Sequence, residues 1–367
     1  MIVELHILQN VAPSNLNRDD ANSPKDCEFG GHRRARISSQ CIKRSIREDF
    51  KNIIPAYTGY RSKLVVEKLF EKLSHKIPGK SPEEIKILAS DIAEGFYSKF
   101  DKKADKTSVL VFFDESELDQ IVETVIKIYD PLQKDNKYLI AACGKLKIKP
   151  YSYDIALFGR MLAEYPERNI DGTCQVAHAI STNRVTMEFD FFTAVDDLQK
   201  DDTAGAGMMG TIGFNSSCFY RYSIIHTDRL LGNLENDEEG MRAAVQAFLK
   251  ASFTAMPTGK QNSFAAYNPP SFAIATVRED NMPWSLANAF EKPVKPDNNH
   301  GLVANSVKEL TGYWESLSST YGSRCNLRNA AVLVLPTSDL TEEDYAALSK
   351  YKKANLDEFI FQIINEL

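Results

Sequence analysis

The sequence predicts an α+β fold, a sheet core interrupted by a helical insertion rather than two independent domains. Three observations lead there. Val3, Leu5 and Ile7 alternate with Glu4 and His6, the period of a half-buried strand. A highly charged block at about 55–135 keeps its apolar residues at helical spacing. From Tyr151 to about Val277, short apolar stretches alternate with turns, as strands of a sheet do.

Taken in order, the first strand is followed by a polar loop rich in Asn, Asp and Pro, from Ala12 to about Lys25. Ile37-Ser38-Ser39-Gln40 then reads as the start of a helix, with Ser38 or Ser39 as N-cap. Ile42, Ile46 and Phe50 lie on one face of that helix and can bury. In the charged block, Ile85, Leu88, Ala89, Ile92, Ala93, Phe96 and Phe100 form one helical run. Leu118, Ile121, Val122, Val125, Ile126 and Tyr129 form another, which Pro131 ends. Between them, 108–113 reads as a buried strand. Further strands are expected at 218–225, 272–277 and 330–335, further helices at 238–255 and 302–320, and a charged amphipathic tail at 342–367.

Composition narrows the class. The 367 residues suffice for two to three domain-sized units and a large core. Apolar residues at 43% and charged residues at 26% are an ordinary globular balance. No run approaches the ~18 apolar residues of a membrane span. The first residues have neither a basic leader nor a small-residue cleavage site, so a strand is expected there rather than a signal peptide. Cys27, Cys41, Cys143, Cys174, Cys218 and Cys325 are scattered without a C-x-x-C, which fits reduced thiols in a cytoplasm and argues against zinc.

One segment departs from that background. The net charge is −6, yet between Gly30 and Arg47 there is no acidic residue and there are six basic ones: Arg33, Arg34, Arg36, Lys43, Arg44 and Arg47. Gln40, Lys43, Arg44 and Arg47 are spaced to share one helix face. The free amides of the helix N-terminus would suit a phosphate. A solvated helix face would carry the same stripe. The preceding Gly30-Gly31 pair and the Arg33-Arg34-x-Arg36 run favour a polyanion instead, because glycine lets a backbone approach a ligand and arginine binds phosphate in bidentate fashion.

Other motifs carry less. Gly205-Ala206-Gly207-Met208-Met209-Gly210 spells G-x-G-x-x-G, but it follows an aspartate-rich stretch and precedes a strand, so it is not a dinucleotide site. It reads as a hairpin tip whose Met208 and Met209 can wedge between bases or dock on a neighbouring copy. Asp19-Asp20 could hold a metal or act as a base, although adjacent aspartates also form turns. His178 reads as a hydrogen-bonded core histidine. Tyr151, Tyr153, Tyr220 and Tyr222 could stack bases, but read as core or sheet-surface aromatics. Lys260, after Gly259, is a loop lysine that could contact one phosphate.

The stretch LNRDDANSPKDCEFGGHRRARISSQCIKRSIR closely resembles the start of CasC, the backbone subunit of type I-E CRISPR Cascade. The resemblance continues in the same order through DIALFGRM, VAHAIST, FDFFTAVDDLQ, FYRYS, AAYNP and MPWSLANAFEK, and is weakest at 55–135. It implies a hand-shaped molecule. An RRM-like (ferredoxin-like) palm would comprise 1–50 and 151–367, helical fingers 51–150, and a long thumb hairpin about 190–217. It implies a non-catalytic subunit, without cofactor or metal, whose copies stack head to tail in a helical filament along guide crRNA and present it to target DNA. The other implied partners are the large and small subunits, CasD and CasE, with a recruited helicase–nuclease acting on the complex. By position, Arg18, Lys25, Gln40, Lys43 and Arg47 would face the guide backbone, and Met161 would pack against bases near a displaced nucleotide. The family's glycine pair is often followed by lysine where this chain has His32. Two other readings remain open: a type III-like subunit that cuts RNA with a loop aspartate, here Asp19 or Asp20, and a monomeric stand-alone RNA-binding protein.

Overall fold

A computed structural model of the chain describes residues 1–101, 106–129, 137–194, 208–279, 282–322 and 327–367. It is a mixed α+β structure with a mainly antiparallel sheet. The chain forms two compact units. The first comprises Met1–Asp49, Gln175–Thr227 and Val245–Leu367, and the second Phe50–Cys174 and Asp228–Ala244. The second unit therefore takes in stretches on either side of 175–227 that the sequence reading grouped with the sheet.

The first unit is built on strand β1 (Ile2–Ser14). It pairs along its length with the long strand Met208–His226 on one side, and from Ile2 to Leu8 with Phe272–Arg278 on the other, both antiparallel. Strand Leu327–Val334 extends the sheet beyond Phe272–Arg278, while Ala179–Ser181 and the hairpin β2 (Asp26–Phe29) and β3 (His32–Ile37) extend it beyond Met208–His226. The alternation in β1 predicts one wet face; instead Glu4 and His6 are buried as completely as Leu5 and Ile7. The reason is that both faces are covered. Leu5 and Ile7 face a small space shared with Ile42 and Ile46 of helix α1 (Ser39–Ile53). Ile2 and Leu8 pack on the other face with Phe272, Phe290, Leu310 and Trp314, the last two from helix Leu302–Tyr321. Burying each such side chain contributes on the order of 1.5–3 kcal/mol.

Glu4 is tolerated there because all its acceptor capacity is used. It accepts from the Tyr222 hydroxyl at 2.7 Å, the Trp284 amide at 2.6 Å and the Thr276 hydroxyl at 3.1 Å, and pairs with Arg278. His6 Nδ1 lies 2.8 Å from the Tyr220 hydroxyl. Tyr220 and Tyr222 are thus core residues with satisfied hydroxyls.

The second unit is mostly helical, with Val65–Lys76, Pro82–Phe96, Glu115–Ile128 and Lys137–Cys143 around a core that includes Leu69, Leu88, Ile92, Leu118, Ile121 and Leu139. A reciprocal Ser81–Glu84 capping box starts Pro82–Phe96, and Asp114 caps Glu115–Ile128. The first of these helices stops at Phe96; Phe100 opens a short strand instead of extending the helix. The strand expected at 108–113 is reduced to Val111–Phe113, and Val109 and Leu110 are exposed. The amphipathic tail is likewise divided into a turn of helix at Ala346–Ser349 and a helix at Leu356–Ile364. Among the described residues no helix is long and apolar enough to cross a membrane.

Candidate nucleic-acid interface

The predicted basic helix is present. Ser38 is its N-cap, its hydroxyl accepting from the Cys41 amide at 3.3 Å. Ile42 and Ile46 are buried, while Gln40 and Arg44 are exposed and Lys43 and Arg47 half-buried, so the stripe lies on the outer face as its spacing requires. Three of the amides at its start are already taken, the Cys41 amide by the Ser38 cap. The Ser38 amide donates to Asn17 Oδ1 at 2.9 Å and the Ser39 amide to His178 Nδ1 at 3.2 Å. An anion approaching this helix would meet the Gln40, Lys43, Arg44 and Arg47 side chains of its outer face.

His178 is thereby corrected: it is exposed at the helix start rather than in the core. Its Nδ1 also lies 3.4 Å from an Arg36 guanidinium nitrogen. Partial burial first, and then the neighbouring Arg36 and Lys25 cations, push its pKa below the ordinary value.

Arg18 and Lys25 come from the loop between β1 and β2, which Asn15 and Asn17 organise. Asn15 Nδ2 donates to the carbonyls of Asn22 and Gly213 at 3.0 and 2.9 Å, and the Lys25 amide donates to the Asn17 carbonyl at 2.8 Å. Arg18 is exposed, with an Nη nitrogen 3.3 Å from Asn22 Oδ1. In the same loop Asp19 Oδ1 accepts from the Ala21 and Ser23 amides, both at 2.9 Å, the geometry of a turn former. Neither asparagine stands out in the sequence, because Asn in a polar loop is the commonplace composition of turns.

The Gly30-Gly31 pair closes the β2–β3 hairpin as a two-residue turn with φ of 59° and 72°, the left-handed conformation that favours glycine. A Cβ at Gly30 would sit 2.0 Å from the Glu291 carbonyl oxygen, so the close approach is to the protein itself rather than to a ligand. The arginines of the hairpin also divide. Arg34, grouped on sequence with the phosphate-binding residues, has no solvent exposure. Its two terminal nitrogens donate to the carbonyls of Ser181, Thr182, Phe290 and Glu291 at 2.6–3.0 Å. It is an internal staple, and its charge cannot reach a polyanion. Arg33 is exposed but paired with Asp26 at 2.7 Å, Arg36 is half-buried, and His32 is exposed.

Strand Glu188–Ala194 pairs with the first part of Met208–His226, from Glu188↔Phe214 to Ala194↔Met208. Residues 195–207, which contain the first glycines of the expected tip, lie outside the described residues, as does the side chain of Met208. Phe189, Phe191 and Met209 are 66%, 63% and 67% exposed, and the period-2 register puts them on one face of the ribbon. Sequence reasoning overlooked the two phenylalanines, because aromatic alternation in a strand ordinarily signals burial. Lys260 is half-buried, with left-handed backbone at φ 52°, in a loop whose Gly259 packs on the carbonyls of Asn15 and Leu16. Met161 belongs to the second unit and is 79% exposed. Tyr153, in that same unit, is buried and stacks on Tyr57 with centroids 4.5 Å apart.

The first unit thus gathers Arg18, Lys25, Gln40, Lys43, Arg44, Arg47 and Lys260, with an exposed aromatic ribbon, around one sheet. No curated protein matches the chain by sequence. Among solved structures it is similar over its whole length to a chain of a CRISPR RNA-guided surveillance complex, pre-nicking, with 28% identity and a TM-score of 0.81, each chain being covered completely. A chain of another CRISPR RNA-guided surveillance complex matches with 26% identity and a TM-score of 0.64, covering 100% of this chain and 99% of that one. The model of the CT1975-like protein family matches residues 3–361, and the chain belongs to that family.

Proposed function

We propose that this protein is a non-catalytic backbone subunit of a type I-E CRISPR Cascade surveillance complex. It binds guide crRNA along the phosphate backbone, stacks head to tail with copies of itself and leaves the guide free to pair with target DNA. The observation that carries this reading is the basic stripe Gln40–Lys43–Arg44–Arg47 on the outer face of α1, flanked by Arg18 and Lys25, in a chain similar end to end to subunits of surveillance complexes. In this reading the sheet unit is the RRM-like palm, the helical unit the fingers, and the ribbon 188–214 the stem of the thumb. Phosphate contacts hold the guide without reading its sequence, which is left to base pairing. The large and small subunits, CasD and CasE would complete the assembly, and a separate helicase–nuclease would cut the DNA. The turn-forming hydrogen bonds of Asp19 support a structural rather than catalytic role for that residue. The thiols of Cys27, Cys41, Cys143 and Cys218 support a cytoplasmic location.

The test is co-expression with the partner subunits. The purified complex should contain a discrete RNA about as long as one CRISPR repeat–spacer unit. Heterogeneous cellular RNA, or none, would overturn the assignment.

A further inference from the structure

We propose that the loop 259–268 is a second nucleic-acid contact element, in which the Tyr267 ring stacks on an unpaired base of single-stranded RNA while Lys260 meets an adjacent phosphate. The proposal rests on the guide-binding reading above and assigns it a base contact.

Tyr267 is 68% exposed, and among the described residues no ring, cation or hydrogen-bond partner engages its side chain. Single exposed aromatics are common on protein surfaces. This one differs in how firmly its backbone is held. On one side, the Tyr267 amide donates to the Ala265 carbonyl at 2.8 Å, and Gln261 bridges the Pro257 carbonyl and the Ala266 amide at 3.0 and 2.8 Å. On the other side, the Asn268 carbonyl accepts from Gln9 Nε2 at 2.6 Å and Asn268 Oδ1 from the Ala12 amide at 3.1 Å. Pro269 and Pro270 then restrict the chain further. The loop is an ordered mount for an outward-pointing ring, and ordering lowers the entropic cost of a contact.

The location matters as much as the rigidity. Gly259 lies against the Asn15 and Leu16 carbonyls, which lead directly into Asn17 and Arg18. Phe264 packs on Phe214, at the base of the ribbon, with centroids 5.7 Å apart. The loop that carries Tyr267 and Lys260 therefore runs against the end of β1 and the residues that lead into Arg18. A cation and a bare aromatic face next to a phosphate-binding track are the two parts of a single-strand platform, since every base has a π face to stack.

The test uses the full-length chain and two fluorescein-labelled single-stranded RNAs of equal length, one of mixed sequence and one abasic throughout. Wild type should bind the base-bearing strand more tightly. Tyr267→Ala should weaken that binding roughly 5- to 150-fold and leave abasic binding unchanged, because only a base can stack. Tyr267→Phe should bind as wild type. Lys260→Ala should weaken both RNAs and lower the slope of log K against log salt by about 0.7. Unchanged melting of each variant shows that the fold is intact. If Tyr267→Ala binds the base-bearing strand as wild type does, or Tyr267→Phe loses as much as Tyr267→Ala, the stacking proposal is wrong while the guide-binding reading stands. It is equally wrong if Tyr267→Ala weakens only association between copies on RNA, as measured by sedimentation. If wild type binds neither RNA, both readings fall.

Discussion

Replacing Arg34 tests the division of the arginine run most sharply. Its side chain is fully buried, and its four terminal N–H groups satisfy four carbonyls, two from 181–182 and two from 290–291. In Arg34→Met the Thr182 carbonyl keeps the Val294 amide at 2.9 Å as a partner, whereas the Phe290 and Glu291 carbonyls are left with none among the described hydrogen bonds. Leaving a buried acceptor unsatisfied costs about 1–3 kcal/mol, so the two carbonyls together cost about 2–6 kcal/mol. For a unit of this size that is a fall in Tm of roughly 4–24 °C. Arg33→Met is the control, because Arg33 is 67% exposed and its ion pair with Asp26 contributes at most about 1 kcal/mol. The assay is urea unfolding followed by tryptophan fluorescence, which reports on the sheet unit alone because both tryptophans of the chain, Trp284 and Trp314, lie in it. Equal, small losses for the two variants would refute the staple and return Arg34 to the surface.

Three further outcomes are expected. Lys43→Glu should weaken binding to single-stranded RNA of any sequence and lower the salt slope by about 0.7 per lost phosphate contact, as measured by fluorescence anisotropy; a loss confined to some sequences would contradict a backbone role. Complementary RNA should remain uncut with and without magnesium by wild type, Asp19→Ala and Asp20→Ala alike, and cleavage by wild type that either variant abolishes would establish the enzymatic alternative. Burial lowers the His6 pKa from 6.5 to about 4, so the folded unit takes up its proton later than the unfolded chain as pH falls. This contribution is present above about pH 6.5 and lost as pH falls toward 4, by roughly 3 kcal/mol in urea unfolding; His6→Gln should lose less stability over that window than wild type, and an equal loss would show that His6 is not responsible.

The elements that follow from local rules were legible in the sequence. The cap and apolar spacing of α1, and the apolar spacing of the two long helices around Leu88 and Leu118, specify helices wherever the chain goes, because a 3.6-residue period acts within a few residues. The same local rule puts Lys43, Arg44 and Arg47 on one face. Hairpin β2–β3 could have been read from Gly30-Gly31 between polar strands, but the basic run beside it drew attention to phosphate instead.

Tertiary structure alone decided what long-range contacts control. The alternation in β1 correctly indicates a strand, but whether its second face is wet depends on helices more than thirty residues away in sequence, and here both faces are covered. Three arginines within four residues are indistinguishable by composition; one became a core staple because carbonyls from 181–182 and 290–291 converge on it, one an ion pair with Asp26, and one a neighbour of His178. The Ser38 and Ser39 amides at the helix start went to Asn17 and His178 for the same reason. Burial and hydrogen-bond satisfaction depend on which distant groups arrive, so the sequence by itself determined which residues could bind a polyanion, and only the fold decided which of them still face outward to do so.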